Sequence, residues 1–197
     1  MNNFLNAGRG LRKLFVAELG QLVVTIMYSI PVVQDIAPLF NTIFSMIFLV
    51  GLFQIGIDIP NSSGAYVMQI VFIATKTLHS DFGRSVFADI LMEIGNIAFP
   101  LIIMGCIVFP ITDILYQLNK KDASKKGIIL WNIYLVCHVI SRCVTYIKEF
   151  IALDYTPASP YMVASRVGLA SSLVFSAIAT VVILLFYKKS EKALDIY

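Results

Sequence analysis

A chain of 197 residues with 58% hydrophobic and 14% charged residues sits far from the roughly 25% charge of an average soluble domain. Its net charge of +3 is spread over the flanks of long apolar runs, which excludes a basic nucleic-acid binder. One domain fits the length, and with about 20 apolar residues needed per span, six spans leave no room for a soluble catalytic domain. The expectation is an all-α fold, a polytopic integral membrane bundle of about six transmembrane helices in a single membrane domain over residues 1–197. Its surroundings are the lipid bilayer of a plasma (inner) membrane.

The first apolar segment runs from about Leu14 to Pro31. Arg9, Arg12 and Lys13 precede it, as in the n-region of a signal peptide. The apolar run is too long for an h-region and no A-x-A site follows, so the segment reads as a retained helix. Phe4, Leu11, Leu14 and Phe15 fall opposite Arg9, Arg12 and Lys13. Two readings stand for this start: an interfacial helix leading into the span, or a frayed tail whose charges set orientation. Glu18, Gln21, Thr25 and Tyr28 share one face of the segment.

A turn over Val33–Pro38 with Asp35 leads into the second segment, Ile36–Ile57. Gln54 and Asp58 near its far end are able to hydrogen-bond between helices. Asp58–Gly64 carries turn residues. The third segment, Ser63–Leu78, is short and polar at Gln69, with Lys76 and His79 near its end. The positive-inside rule supports its spanning. With six spans and a cytoplasmic N-terminus, Arg9, Arg12, Lys13, Lys120, Lys121, Lys125, Lys126, Lys188, Lys189 and Lys192 lie inside. Only Lys76 and Arg84 then lie outside, while Arg142, Lys148 and Arg166 fall within segments. Laying the third segment on the surface instead moves both lysine-rich flanks after it outside. Both termini are therefore expected to be cytoplasmic.

The fourth segment, Val86–Leu118, carries Asp89, Glu93 and Asn96 on one face near its outer end. Pro100 and Pro110 each remove a backbone donor inside it. They either shape a cavity or are absorbed by ordinary packing. After a lysine-rich loop over Asn119–Gly127 comes the fifth segment, Ile128–Leu153. Here His138, Arg142, Thr145 and Glu149 follow spacings of four, three and four, which fall on one helix face. Arg142 lies about midway along the segment, where an arginine costs about 2.5–3.5 kcal/mol on the insertion scale. Such residues face a bundle interior or water rather than lipid. After an outer loop over Asp154–Pro160, the sixth segment, Tyr161–Tyr187, places Ala164, Gly168, Ser172, Ser176 and Thr180 four residues apart. That is a smooth ridge for close helix contact, within the chain or with a second chain.

The fourth and fifth segments are antiparallel neighbours across a short loop. Asp89, Glu93, Arg142, His138, Glu149 and Arg166 then form a candidate substrate-binding cluster in the outer half of the bundle. The competing reading is a structural network in which these charges neutralise one another. Cys106, Cys137 and Cys143 lack C-x-x-C spacing. His79 and His138 lie in different segments, so no metal or haem site and no cofactor is expected. No nucleophile elbow, H-E-x-x-H or phosphate loop is present, so the chain is not expected to be an enzyme.

Two functions from different classes follow. One is transport or binding of a small polar or anionic solute. The other is that of an accessory, immunity or assembly subunit acting on another membrane subunit through helix contacts. In size and six-span form the chain is similar to the substrate-binding subunits of energy-coupling-factor vitamin transporters. Those subunits typically carry a small-xxx-small motif in the first span. Here Ala17 is followed four residues later by Gln21, so the motif is not formed there and membership does not follow.

Overall fold

All regular structure among the described residues is helical. The computed structural model describes residues 4–28, 30–81, 86–152 and 161–194, with the side chains of residues 79–90, 146–152, 161–167 and 169 outside that description. The helices are α1 (Leu5–Met27), α2 (Ala37–Asp58), α3 (Ser63–Asp81), α4 (Val86–Gln117), α5 (Lys121–Ala152) and α6 (Tyr161–Leu194), with a 3-10 turn at Pro60–Ser62. They form two compact units. The first holds residues up to 128 together with 184 onward, and the second holds 129–183.

Four stretches among the described residues are long and apolar enough to cross a membrane: Ala37–Asp58, Leu91–Gln117, Lys121–Thr145 and Ala170–Leu194. Helix α1 is not among them because Arg12, Lys13 and Glu18 interrupt its apolar run, and neither is α3. On α2 the outward face is largely apolar, with Asn41 and Thr42 also exposed near its start. Leu39, Ile43, Met46, Val50, Phe53 and Ile57 keep between 44% and 62% of their surface exposed. A folded soluble monomer rarely leaves so large a contiguous apolar face in water.

In the first unit α1 packs along α2, α2 along α3 and α3 along α4. The buried face of α1 is Ala7, Gly8, Gly10, Leu11, Leu14, Ala17, Gly20 and Val24. Small residues let the α1 and α2 backbones approach closely. A Cβ added to Gly10 would stand 2.6 Å from the carbonyl oxygen of Gly51, and one added to Gly51 would stand 3.0 Å from that of Gly10. Helix α1 also starts nine residues before the apolar run. The basic residues interrupt hydropathy but not the 3.6-residue periodicity of the packed face, so the basic start and the apolar run that follows it are one continuous helix.

The α4–α5 connection is shorter than the lysine-rich loop expected there. Asn119 adopts a left-handed φ of 61°. The Lys120 N–H donates to the Leu115 carbonyl at 2.8 Å and the Asn119 N–H to that of Tyr116 at 3.0 Å. This is the Schellman pattern, which satisfies the last carbonyls of α4 and reverses the chain within three residues. Lys121–Gly127 are then helical, since lysine is a good helix former. Gly127 lies against α4 and α6: a Cβ there would meet Thr112 at 2.5 Å and Phe186 at 3.3 Å. Both prolines of α4 lie inside an unbroken helix.

Four polar contacts gather the helix ends of this unit. Asp58, at the end of α2, accepts from the Ala7 N–H at 2.8 Å and from Asn6 Nδ2 at 2.9 Å. Arg12 pairs with Glu191 at 2.6 Å. Lys120 Nζ donates to the Ala193 carbonyl. The start of α1, the α2–α3 connection, the α4–α5 connection and the end of α6 therefore share one end. The largest fully buried side chains belong to this unit: Leu11, Leu14, Leu52, Ile55, Ile59, Ile107, Val108, Ile111, Leu115, Phe186, Tyr187 and Leu194. Tyr187 is sealed among them, its hydroxyl donating to Met104 Sδ at 3.1 Å.

Candidate functional site

The face of α5 that carries the polar stripe is organised by burial. Trp131, Tyr134, Cys137 and Ser141 are buried at spacings of three, three and four, which defines the packed side of the helix. Trp131 stacks on Tyr134 with centroids 5.8 Å apart, and Tyr134 stacks on the half-buried His138 at 5.5 Å. Thr145 continues this side. Arg142 stands one residue round from Ser141 and is exposed, as is Cys143 beside it. Arg142 forms no hydrogen bond or ion pair with a described residue. Of the four residues grouped by spacing, His138 and Thr145 therefore lie on the packed side and Arg142 at its open edge.

The hydroxyls of α5 meet α6 within the second unit. Ser141 Oγ donates to the Ser172 carbonyl at 3.0 Å and lies 3.4 Å from Ser172 Oγ, and Thr145 Oγ1 lies 2.7 Å from Ser172 Oγ. Gly168, one turn before Ser172, faces Val144, which would lie 3.8 Å from an added Cβ. The small-residue ridge of α6 thus turns Gly168 and Ser172 to α5. Ser176 is exposed, and Thr180 Oγ1 donates back to the Ser176 carbonyl at 3.0 Å. The side chain of Ala164 lies outside the described residues.

Of the acidic candidates, Glu93 is half-buried on α4 and accepts from Asn96 Nδ2 at 3.3 Å. It belongs to the first unit, whereas His138 and Arg142 belong to the second. The side chains of Asp89, Glu149 and Arg166 lie outside the described residues. Among the described residues no cluster of His, Cys, Asp and Glu has the makings of a metal site.

A cleft that the sequence did not reveal opens at the gathered end of the first unit. It encloses about 600 Å³ and is lined by Phe4, Asp58, Ile59, Pro60, Asn61, Pro110, Asp113, Ile114, Gln117 and Leu118. Asp113 is exposed and accepts from Gln117 Nε2 at 2.9 Å. The Asp58 carboxylate is held by the first turn of α1. It replaces the side-chain cap that the N-cap residue Phe4 does not supply, and it places a negative charge at the positive end of that helix. Asp58 is thereby accounted for as a fastening between α1 and α2. The sequence signalled it through the polar pair Gln54 and Asp58 at the end of an apolar segment, but not which helix Asp58 would fasten.

No protein-family model matches the chain, and neither a curated protein nor a solved structure matches it.

Proposed function

We propose that the chain is a six-span integral membrane protein of the plasma (inner) membrane, with both termini cytoplasmic. In this reading it binds or transports a small polar or anionic solute through a pocket in the outer half of its helix bundle, without covalent chemistry of its own. The exposed apolar face of α2 supports the membrane setting, and the gathering of the start of α1 and the end of α6 at one end of the first unit fits an even number of spans. The observation that carries the solute reading is Arg142, which lies inside the Lys121–Thr145 candidate span and is exposed. Insertion of such a residue costs about 2.5–3.5 kcal/mol, and intramembrane charges characteristically line water-filled cavities or substrate paths. Asp89, Glu93, His138, Glu149 and Arg166 are the companions assigned to it.

The test is a thermal-shift screen on purified protein with vitamins, amino acids, nucleosides and organic anions, run in parallel on Arg142→Gln. A ligand at 100 times its Kd stabilises the folded state by about 2.7 kcal/mol. The proposal expects such a shift in wild type and its loss in the variant. No shift with any compound, in a variant that is itself strongly destabilised, would make the charge cluster structural.

One observation favours a second reading. On α6 the ridge residue Ser176 is exposed alongside Leu173, Val174 and Ala177. That leaves a small-residue notch in an apolar surface, suited to a helix of another membrane subunit. Copurification of a second membrane protein, lost in Ser176→Leu, would support an accessory role over solute binding.

A further inference from the structure

The end of α6 carries an apolar-to-basic transition on one side of a single helix. Leu185 is exposed, and Lys188, Lys189 and Lys192, one and two turns further on, are exposed as well. The opposite side is the packed one, with Phe186, Tyr187, Ser190 and Leu194 buried. The single acid of this stretch, Glu191, is drawn away from the lysines. Its side chain is only 16% exposed and its carboxylate is held by Arg12 at 2.6 Å. The exposed side therefore presents an apolar surface followed directly by three cations with no anion among them. A partner that matches both halves needs an apolar tail joined to a negative head. A soluble polyanion matches only the lysines, and a zwitterionic lipid matches only the apolar part.

We propose that Lys188, Lys189 and Lys192 form a headgroup site for an anionic phospholipid of the surrounding leaflet, with an acyl chain lying against Leu185. This rests on the membrane reading above and goes beyond it. Lysines that only set orientation act during insertion and need no preferred lipid afterwards. A headgroup site retains one in the folded protein. The Arg12–Glu191 pair has a part in it, because it neutralises the carboxylate that lies among the lysines within α6 and would otherwise compete with the lipid for them.

The full chain is first checked for resistance to alkaline carbonate extraction from membranes. Release by carbonate overturns the membrane reading and this inference together, whereas retention leaves the membrane reading standing whatever follows. Detergent-purified protein is then titrated with phosphatidylglycerol or phosphatidylcholine and bound lipid is counted by native mass spectrometry. Three chains are compared: wild type, the triple variant K188Q/K189Q/K192Q, and the triple variant K121Q/K125Q/K126Q, which removes the same charge from α5 in the same unit. Each lysine near an anionic headgroup contributes about fivefold, so the α6 triple should lose on the order of 100-fold in phosphatidylglycerol affinity. The α5 triple should keep most of it. No preference for phosphatidylglycerol in wild type, or equal loss in both triples, would overturn the site.

Discussion

Gly10→Ala tests the packing of α1 on α2 where the two backbones meet. The added Cβ would meet the Gly51 carbonyl oxygen at 2.6 Å, Ile55 Cγ1 at 2.7 Å and the Ile55 nitrogen at 3.1 Å. Two of the three are backbone atoms, so no rotamer change relieves the clash and the helices must separate. Overpacking costs about 1–3 kcal/mol, and contact with backbone places this case in the upper part of that range. Against it stands the gain of about 0.8–1.0 kcal/mol when alanine replaces glycine within a helix. The net expectation is a loss of about 1–2 kcal/mol, or roughly 2–8 °C in Tm for a chain of this length. The control is Gly56→Ala on α2, where the nearest atoms are Ser63 Cα at 3.5 Å and Cβ at 3.6 Å. There the propensity gain meets only ordinary van der Waals contact, and Tm should hold or rise. Thermal unfolding of both variants in one detergent decides the matter. A Gly10→Ala protein as stable as Gly56→Ala would refute the close crossing.

Asp58→Ala removes the acceptor for the Ala7 N–H and Asn6 Nδ2. It should cost about 0.5–2 kcal/mol, with faster amide exchange confined to the first turn of α1. Ser172→Ala and Thr145→Ala should each destabilise mildly. Their double-mutant cycle should give a coupling of about 0.6 kcal/mol, in the range of hydrogen bonds between membrane helices, and zero coupling would dissolve the hydroxyl cluster. Cys143 lies beside Arg142 and is exposed, while Cys137 is buried. If Arg142 lines a water-filled path, a water-soluble thiosulfonate added from outside should label Cys143 and spare Cys137. An unlabelled Cys143 would place that face of α5 against lipid or another helix.

Helical class and the principal apolar segments were legible because hydropathy and period follow directly from residue type. The bounds of α2 and α4 came within a residue, but the charged starts of α1 and α5 and the charged end of α6 were not legible, for one shared reason. Lys121–Gly127 and Lys188–Leu194 were set apart from the spans because they are charged, yet both are helical. Charge decides where a helix leaves an apolar medium, whereas helix propensity and caps such as the Asn119 turn decide where it ends. Gly10 and Gly51 belong to different helices, and neither forms a repeat with a small residue four positions away that would announce a crossing. The search for a docking motif at Ala17 and Gln21 looked along one helix, but the close approach is built from one glycine on each of two.

The candidate site was legible to a different degree, because residue type flags an intramembrane charge while its neighbours decide what the charge does. Arg142 stood out from composition alone, but its exposure follows from the buried row Trp131, Tyr134, Cys137 and Ser141, which leaves it at the edge. Thr145 shared its spacing and went instead into the hydroxyl contact with Ser172. The assignment of these residues to different units has a practical consequence. The most deeply buried side chains, from Leu11 to Leu194, and the helix-end fastenings at Asp58, Glu191 and Lys120 all belong to the first unit, whereas His138, Arg142 and Cys143 belong to the second. Energetic effects of sites without shared partners add. A solute effect lost in Arg142→Gln while the Gly10→Ala stability difference persists unchanged in that background would therefore belong to binding. A change in that difference would mean that Arg142 takes part in the packing of α1 on α2, and a loss of ligand response could then no longer be assigned to a site.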